Sequence, residues 1–400
     1  MLTVEQAQKK LVASVSCVCE AEQIRLNEAL GRISASEVAS SIFVPPTDNS
    51  AMDGFAVKAC EVTDQPLVIS QRIPAGSQPQ GLQAGTAARI FTGGVLPMGA
   101  DAVVIQENCD YSSSSEVVKI NKQVSTGDNI RPKGQDISHG AVVVTKGKRL
   151  HAVDLGLIAS VGQATVSVRQ PLKVAIFSTG DELVEPGQPL AGGQIYNSNR
   201  TSLIALCQQL GYEIVDCGIV EDTFEATKIT LKNAAEKADI VISSGGVSVG
   251  EEDHVKPAVE TLGSLDLWKV QMKPGKPVAY GKIGNVPFIG LPGNPVSSYI
   301  VFQLLAVPLL ACLQGQDYQL PTSYQVLAGF NKSVVSREEY IRVRLTENDH
   351  GVTMVQRFDN QSSGVMTSLA WADGLVRQRI DQQVVVNEPV EFIPLKQGLL

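Results

Sequence analysis

The chain has 400 residues, 44% of them apolar and 18% charged, a composition typical of a globular protein with two to four domains. Its formal net charge of −8 argues against nonspecific binding to nucleic acid or to an acidic membrane surface, although a small anionic ligand is compatible with it. No window reaches the roughly 18 unbroken apolar residues of a membrane-spanning helix.

The N-terminus and the cysteines indicate a cytoplasmic protein. MLTVEQAQKK is not a basic segment followed by an apolar one, so it does not resemble a secretion signal. The seven cysteines include no CxxC pair, and the histidines at 139, 151, 254 and 350 form no HxH or HExxH motif. We therefore expect neither disulfides nor structural zinc.

The first part of the chain changes character near Phe43. Residues 3 to 30 are predicted as a helix that ends at Gly31. Glycines and prolines then break the chain into short segments up to about Asp136, a pattern typical of a small all-β domain. A strand, a helix from about Asp154 and a β segment near Val166 follow, and we expect them to pack back on the N-terminal region.

The second part alternates strands with helices, as a doubly wound α/β domain does. The predicted strands are 173–177, 213–217, 239–243 and 286–290, and the predicted helices are 199–210, 222–238, 254–262 and 296–313. The last 85 residues predict a separate β domain. We expect an N-terminal helical/β domain (1–42 and 139–170), an inserted β domain (43–138), the α/β domain (171–315) and a C-terminal β domain (316–400).

The most informative stretch, DIVISSGGVSVGEEDH, covers residues 239–254. A buried strand is predicted to end in a turn with Gly245 and Gly246, and a helix follows. Glycines let backbone N–H groups approach a ligand, and the helix adds donors, so the turn is typical of a phosphate site. Nearby Glu251, Glu252 and Asp253 would repel a bare phosphate, which indicates a cation or a proton between them. A strand-to-helix turn without a ligand fits the local pattern equally well.

Two polar segments of the predicted inserted domain are candidates for chemistry. PPTDNSAMDGFAV, residues 45–57, offers the carboxylates of Asp48 and Asp53 for hydrogen bonding, metal binding or base catalysis. Asp side chains in such a loop also cap their own backbone, and this alternative stays open. Thr92 in the segment FTGG is suited to donate to a ligand oxygen, or is an ordinary threonine at a strand end.

Three further candidates lie in the α/β part. Lys273 and Lys276 in KPGKP suit a tetrahedral oxyanion, or form an exposed basic turn. The prolines of GLPGNP lock a tight path at a strand end, which suits the floor of a pocket or merely redirects the chain. Three acids at predicted loop positions could hold a metal or an amine if they converge, and Asp222 is otherwise the N-cap of its helix. These acids are Glu182, Asp222 and Asp253.

Taken together, eight motifs closely resemble the molybdopterin molybdenumtransferase family, the MoeA type, which is similar to the E domain of gephyrin. In chain order they are PPTDNSAMDGFAV, TGG with LPMGADAVV, GQDI, STGDEL, IYNSN, SSGGVSVGEED, KPGKP and GLPGNPVSS. The resemblance implies four domains, a homodimer, and insertion of molybdenum from molybdate into adenylylated molybdopterin, with AMP released and a divalent cation such as Mg²⁺ as cofactor. It leaves open a contact with the molybdopterin-adenylylating protein and with enzymes that accept the finished cofactor.

The resemblance also implies roles for individual residues. The functional polar or catalytic positions are Asp53, Thr92, Asp136, Glu182, Asp222 and Asp253, of which Asp222 and Asp253 are the metal candidates. The pterin substrate is assigned to Ser178, Thr179, Gly245, Gly246, Ser248, Pro292 and Pro295, and molybdate to Lys273, Lys276, Ser297, Arg337 and Ser363. Gln135 stands where we expect Glu in the family, which weakens a charged contact at that position.

Two other functions compete with this interpretation. One is molybdopterin adenylylation or a related pyrophosphatase, because the α/β part resembles the proteins that perform that earlier step. The additional β domains and the PPTDNSAMDG segment argue against it. The other is a nonenzymatic scaffold that binds a peptide through its C-terminal β domain, as gephyrin does, although no receptor groove is marked in the sequence.

Overall fold

The structure is a computed structural model that describes residues 1–246, 254–317 and 323–395. The N-terminal segment contains helix α1 (Val4–Ala13), strand β1 (Ala21–Arg25) and strand β2 (Val38–Ala39). The prediction of one helix over residues 3–30 is therefore wrong beyond Ala13. The segment after Ala13 is rich in β-branched residues and cysteine, which are weak helix formers, and β1 instead pairs with a later strand.

The middle of the chain forms a β domain, as predicted. Its strands are β3 (Asn49–Ser50), β4 (Gly54–Val57), β5 (Leu67–Ile73), β6 (Thr86–Ile90), β7 (Ala102–Ile105), β8 (Cys109–Asp110), β9 (Val117–Ile120) and β10 (Ile130–Arg131). Six of them form one sheet in the order β7-β4-β6-β5-β9-β8, and β10 pairs with β3. Phe55 and Val57 are fully buried in its core.

The chain then returns to the N-terminal segment through strand β11 (Val142–Val144), helix α2 (Ala152–Ser160) and strand β12 (Thr165–Arg169). β11 pairs with β2, and β12 pairs with β1 from Ala21 opposite Arg169 to Arg25 opposite Thr165. Val144, Ile158 and Val166 share one buried cluster with Ala29. The segments on either side of the β domain thus pack together, as expected.

The α/β part carries the site. Its elements are β13 (Lys173–Thr179), β14 (Leu183–Val184), β15 (Ile195–Tyr196), α3 (Ser198–Gln209), β16 (Glu213–Val220), α4 (Phe224–Ala235), β17 (Ile240–Ser244), α5 (Val255–Leu262), β18 (Gly263–Lys269), β19 (Met272–Lys273), β20 (Pro277–Ile283), β21 (Val286–Leu291), α6 (Pro295–Val301), a π-helical segment (Phe302–Ala306) and α7 (Val307–Gln314).

The central sheet has the order β16-β13-β17-β21-β20-β18. The first four strands are parallel, so their carboxyl ends meet at one edge, where ligands bind in this architecture. β20 and β18 extend the sheet in antiparallel fashion and were not predicted, since they depart from the regular alternation of parallel strands and helices.

The C-terminal part is a closed barrel. It consists of β22 (Tyr324–Ala328), β23 (Glu338–Glu347), β24 (Thr353–Arg357), helix α8 (Thr367–Trp371), β25 (Gly374–Gln378) and β26 (Pro389–Pro394). The strand order β23-β24-β22-β26-β25 closes on itself because β25 also pairs with β23. Strand β19 of the α/β part pairs with the first two residues of β23 in parallel register.

One helical stretch among the described residues, Pro295–Gln314, has the length and apolar composition of a membrane span. Since 83% of its apolar window is buried in the protein, it serves as a core helix. Helix α1 packs against it, and the Gln8 side chain donates a hydrogen bond to the Leu304 carbonyl over 2.8 Å.

The packing of α1 gives a first prediction. Leu11 is fully buried in the largest core cluster, whereas its neighbour Val12 is 38% exposed. Leu11→Ala should lower the free energy of unfolding by about 2–5 kcal/mol because it leaves a cavity. Val12→Ala, the control on the same helix, should change it by less than about 1 kcal/mol. Urea unfolding followed by circular dichroism measures both, and equal effects would contradict the packing described here.

Candidate functional site

A cleft of about 1220 Å³ lies between the carboxyl ends of the central strands and the barrel. Twelve of the residues predicted from the sequence line it: Thr179, Glu182, Asp222, Gly245, Gly246, Lys273, Lys276, Pro292, Pro295, Ser297, Arg337 and Ser363. Residues from the α/β part and from the C-terminal part thus meet in one cavity. Two other predicted residues, Ser248 and Asp253, lie outside the described residues.

Three strand ends form the floor of the cleft. The Gly245 N–H donates to the carbonyl of Leu291 at the end of β21 over 3.0 Å. Gly245 and Gly246 have φ values of +91° and +67°, which favour glycine. A Cβ on Gly246 would lie 2.3 Å from Cγ2 of Val255, so the turn has no room for a side chain. The described part of the predicted phosphate turn therefore requires glycine, and both glycines line the cleft.

Two carboxylates stand beside this turn. Asp222 accepts a hydrogen bond from the Thr179 hydroxyl over 2.9 Å, and the N-cap of helix α4 is Thr223. The alternative in which Asp222 caps that helix is therefore wrong. Glu182 folds back over Gly180, so closely that a Cβ on this glycine would lie 2.5 Å from Oε2 of the carboxylate. Both carboxylates consequently line the cleft at the ends of neighbouring strands.

The KPGKP loop forms one wall of the cleft, and both of its lysines are exposed there. Gly275 packs so closely on helix α6 that a Cβ there would approach Cγ2 of Val301 to 2.4 Å. Lys273 Nζ lies 3.4 Å from Oε1 of the buried Glu339. Among the residues that the structure describes, Lys276 has no ion-pair partner, and it is exposed on the cleft side.

Helix α6 and the barrel complete the wall. The Val296 N–H donates to the Ser363 carbonyl over 3.0 Å and so ties the start of α6 to the barrel loop that contains Ser363. Ser297 in the first turn of α6 is 4% exposed. Asn199 donates to the Gly293 carbonyl over 2.7 Å, which fixes the GLPGNP loop from the other side.

The barrel also contributes Arg342, which sequence reasoning missed. Its guanidinium is buried and donates to the Ser368 hydroxyl and to the Ser362 carbonyl, each over 3.0 Å. Burial lowers its pKa to about 10, with the negative charge of Glu339 acting in the opposite direction. Gln361 bonds to both the N–H and the carbonyl of Arg342. These contacts hold the loop that carries Ser363 against the cleft.

Four predicted residues do not line the cleft. Ser178 is fully buried behind it and donates to Asn197 Oδ1 over 3.2 Å. Asp53 and Thr92 contact each other in the β domain, where the Thr92 N–H and hydroxyl both donate to Asp53 Oδ1 over 2.7 Å. Asp136 lines a separate cavity of about 520 Å³ in the same domain.

The comparisons with known proteins bear on the whole chain. Family models match residues 2–162 (MoeA N-terminal region, domains I and II), 175–311 (probable molybdopterin binding domain) and 331–395 (MoeA C-terminal region, domain IV). A molybdopterin molybdenumtransferase from Haemophilus influenzae is 39% identical over 372 residues, which cover 92% of each chain. The chain belongs to the molybdopterin molybdenumtransferase family.

Further members of the family are similar to this chain in sequence and in fold. A molybdopterin molybdenumtransferase from Nostoc sp. is 40% identical over 76% of this chain and 72% of its own. Two structures of the molybdopterin biosynthesis MoeA protein from Pyrococcus horikoshii share 32% and 26% sequence identity, with TM-scores of 0.80 and 0.84. They cover 100% and 98% of this chain and all of theirs. The predicted multidomain fold and the prediction of a transferase of molybdenum cofactor biosynthesis are confirmed, whereas the residue roles and domain boundaries stay predictions.

The residues missed by sequence reasoning come from the barrel. Glu339, Arg342, Gln361 and Ser362 line the cleft, yet no motif marked them. Glu339 and Arg342 fall in the segment EEYIRVRL, whose second half alternates apolar and charged side chains as a strand does. Such a pattern is also typical of an exposed strand face, so it could not reveal that Glu339 and Arg342 are buried.

The pair in the β domain gives a second prediction. The Thr92 N–H and hydroxyl hold the pKa of Asp53 below its ordinary value. Thr92→Val removes the hydroxyl and leaves the N–H, so the pKa of Asp53 should rise part of the way toward that value. Carboxyl ¹³C NMR titration measures it, with Thr92→Ser as the control that keeps the hydroxyl. An unchanged pKa in Thr92→Val would show that this hydrogen bond does not act on Asp53.

Proposed function

We propose that the cleft binds adenylylated molybdopterin beside molybdate, inserts molybdenum into the dithiolene and releases AMP. The observation that carries this proposal is the meeting of two anion-binding elements in one cavity: the glycine turn of Gly245 and Gly246, and the cations of Lys273, Lys276 and Arg337. Its volume of about 1220 Å³ is sufficient for a nucleotide-sized ligand and a tetrahedral oxyanion together.

Each of the two anion-binding elements suits one of the two substrates. The glycine turn of Gly245 and Gly246 suits the pterin phosphate, while Thr179, Pro292 and Pro295 form the surrounding surface. Lys273, Lys276 and Arg337 surround the molybdate position, and the hydroxyls of Ser297 and Ser363 add donors of the kind that an oxyanion accepts. Substrate oxyanions held side by side in this way are placed for transfer without a further rearrangement of the chain.

A magnesium ion fits the carboxylate side of the cleft. Mg²⁺ is commonly held by one or two carboxylates together with substrate phosphates, and Glu182 and Asp222 stand in the cleft beside the phosphate turn. Within the described ranges no group of three metal-ligating side chains occurs, so the phosphates would complete the coordination. When bound, Mg²⁺ would offset the negative charge of the phosphoanhydride. Asp253, the other predicted ligand, lies outside the described residues.

We further propose a homodimer in which the β domain of one protomer completes the cleft of the other. Asp53, Thr92 and Asp136 lie outside the cleft of their own chain, and Thr92 and Asp136 are exposed. Carboxylates from a partner would bring acids to a cavity whose barrel side is cationic.

Location and partners follow from composition and are proposals too. We place the protein in the cytoplasm, with the pterin and molybdate as its partners and with neither nucleic acid nor membrane among them. The net charge of −8 disfavours large polyanions, and the apolar helix Pro295–Gln314 is used in the core. Contacts with the adenylylating protein and with cofactor-accepting enzymes would serve the transfer of a labile cofactor.

The proposed reaction is tested by AMP release from adenylylated molybdopterin, measured by chromatography with and without molybdate and Mg²⁺. Lys276→Met should reduce the molybdate-dependent rate by roughly 10²-fold, because it removes a cation from the oxyanion position. Lys146→Met, which removes an exposed lysine remote from the cleft, is the charge-matched control. AMP release at the same rate with and without molybdate would favour the rival function as a pyrophosphatase. Capture of a peptide without any AMP release would favour the nonenzymatic scaffold.

The shared site is tested by mixing two inactive variants. Asp53→Ala removes a carboxylate from the β domain and Lys276→Ala removes a cation from the cleft. In a hybrid dimer with composite sites, one site carries both defects and the other carries neither, so mixing after reversible dissociation should restore up to about half the activity per hybrid. Mixtures that stay as inactive as the separate variants, although hybrids form by mass spectrometry, would contradict a composite site.

A further inference from the structure

The buried carboxylate of Glu339 has no role in the function proposed above. It is 4% exposed, lines the cleft, and lies between two ammonium groups. Lys273 Nζ stands 3.4 Å from its Oε1, and Lys332 Nζ stands 3.3 Å from its Oε2. A carboxylate in the wall of an oxyanion site is unfavourable for anion binding, because like charges repel at short range.

Backbone pairing determines this arrangement. β19 joins β23 in parallel register, with Met272 opposite Glu338 and Lys273 opposite Glu339. Glu338 contacts Arg377 and Tyr340 and does not line the cleft, while Glu339 lines it and faces Lys273. The pairing therefore keeps a carboxylate beside the first lysine of KPGKP.

The two lysines differ in their access to the cleft. The Lys273 side chain is 52% exposed and lines the cavity, whereas Lys332 is 21% exposed and does not line it. Lys332 thus neutralises part of the Glu339 charge from behind, and Lys273 is the partner that an incoming anion can take. An exposed lysine exchanges partners at low cost, because a single ion pair of this kind is weak.

We propose that Glu339 is an internal competitor for Lys273, which an oxyanion has to displace from that lysine in order to bind. This inference rests on the proposed oxyanion position and deepens it. The carboxylate keeps Lys273 at the cleft wall before the oxyanion arrives, and it lowers the affinity of the position for any oxyanion. Lys332 sets the strength of the competition, because it draws the carboxylate away from Lys273.

The test is equilibrium dialysis with inorganic molybdate alone, repeated with tungstate, sulfate and phosphate. Glu339→Gln should bind each anion about tenfold more tightly, because a nearby negative charge is removed and Lys273 is released. Glu338→Gln makes the same chemical change at the adjacent position that does not line the cleft, and its anion affinity should equal that of the wild type. An equal or weaker affinity in Glu339→Gln would overturn the inference.

Substitution of Lys332 should change the anion affinity in the opposite direction to Glu339→Gln. Lys332→Met should weaken molybdate binding by roughly threefold, because Glu339 loses one of its two ion-pair partners and competes more strongly for Lys273. In the Glu339→Gln background the same change should have almost no effect. Weakening of equal size in both backgrounds would mean that Lys332 acts on the anion directly, which would overturn the competition.

Three other outcomes would also support or overturn the proposed competition. If Glu339→Gln fails to fold, as judged by its thermal transition, Lys332→Met carries the test: weaker binding that Lys332→Arg restores supports the inference, and unchanged binding overturns it. A folded wild type that binds no molybdate would remove the oxyanion position itself, and with it both this inference and the proposed function. Normal molybdate binding with no response to Glu339→Gln would remove only the inference.

Discussion

The site depends on the pairing of β19 with β23. This short parallel ladder, Met272 with Glu338 and Lys273 with Glu339, is the point at which the lysine loop of the α/β part is joined to the barrel. The hydrogen bond from Val296 to Ser363 is a second link between the same two parts. Because the cleft lies between them, its width and the placement of its cations follow from the contacts between the two parts rather than from either part alone.

The cleft separates charge in a protein whose net charge is −8. Its cations, Lys273, Lys276, Arg337 and Arg342, come from the lysine loop and the barrel, while Glu182 and Asp222 stand at the ends of β13 and β16. An anion is therefore attracted to one wall and a cation to the other. Overall composition could not reveal this, since a sum over the chain averages the two walls.

Sequence reasoning located the α/β part of the site well and the barrel part poorly. The glycine turn, KPGKP and GLPGNP were found because glycine and proline restrict the backbone in ways that are visible locally. Arg342 and Glu339 were missed because their burial arises from the closure of β25 on β23, a contact between strands that are distant in sequence. The helix predicted over 3–30 failed for a related reason, since β1 forms only by pairing with β12 about 140 residues later.

The position of Asp53 and Thr92 in the β domain is not explained by the contacts of one chain. The N–H and the hydroxyl of Thr92 donate to Asp53 and fix the orientation of its carboxylate. This carboxylate nevertheless lies outside the cleft of its own chain. Asp53 is half-buried, and both hydrogen bonds come from Thr92, which lies beyond the end of β6, rather than from the backbone of its own loop. This placement fits the proposed dimer, in which the cationic cleft of a second protomer would offer a complementary surface.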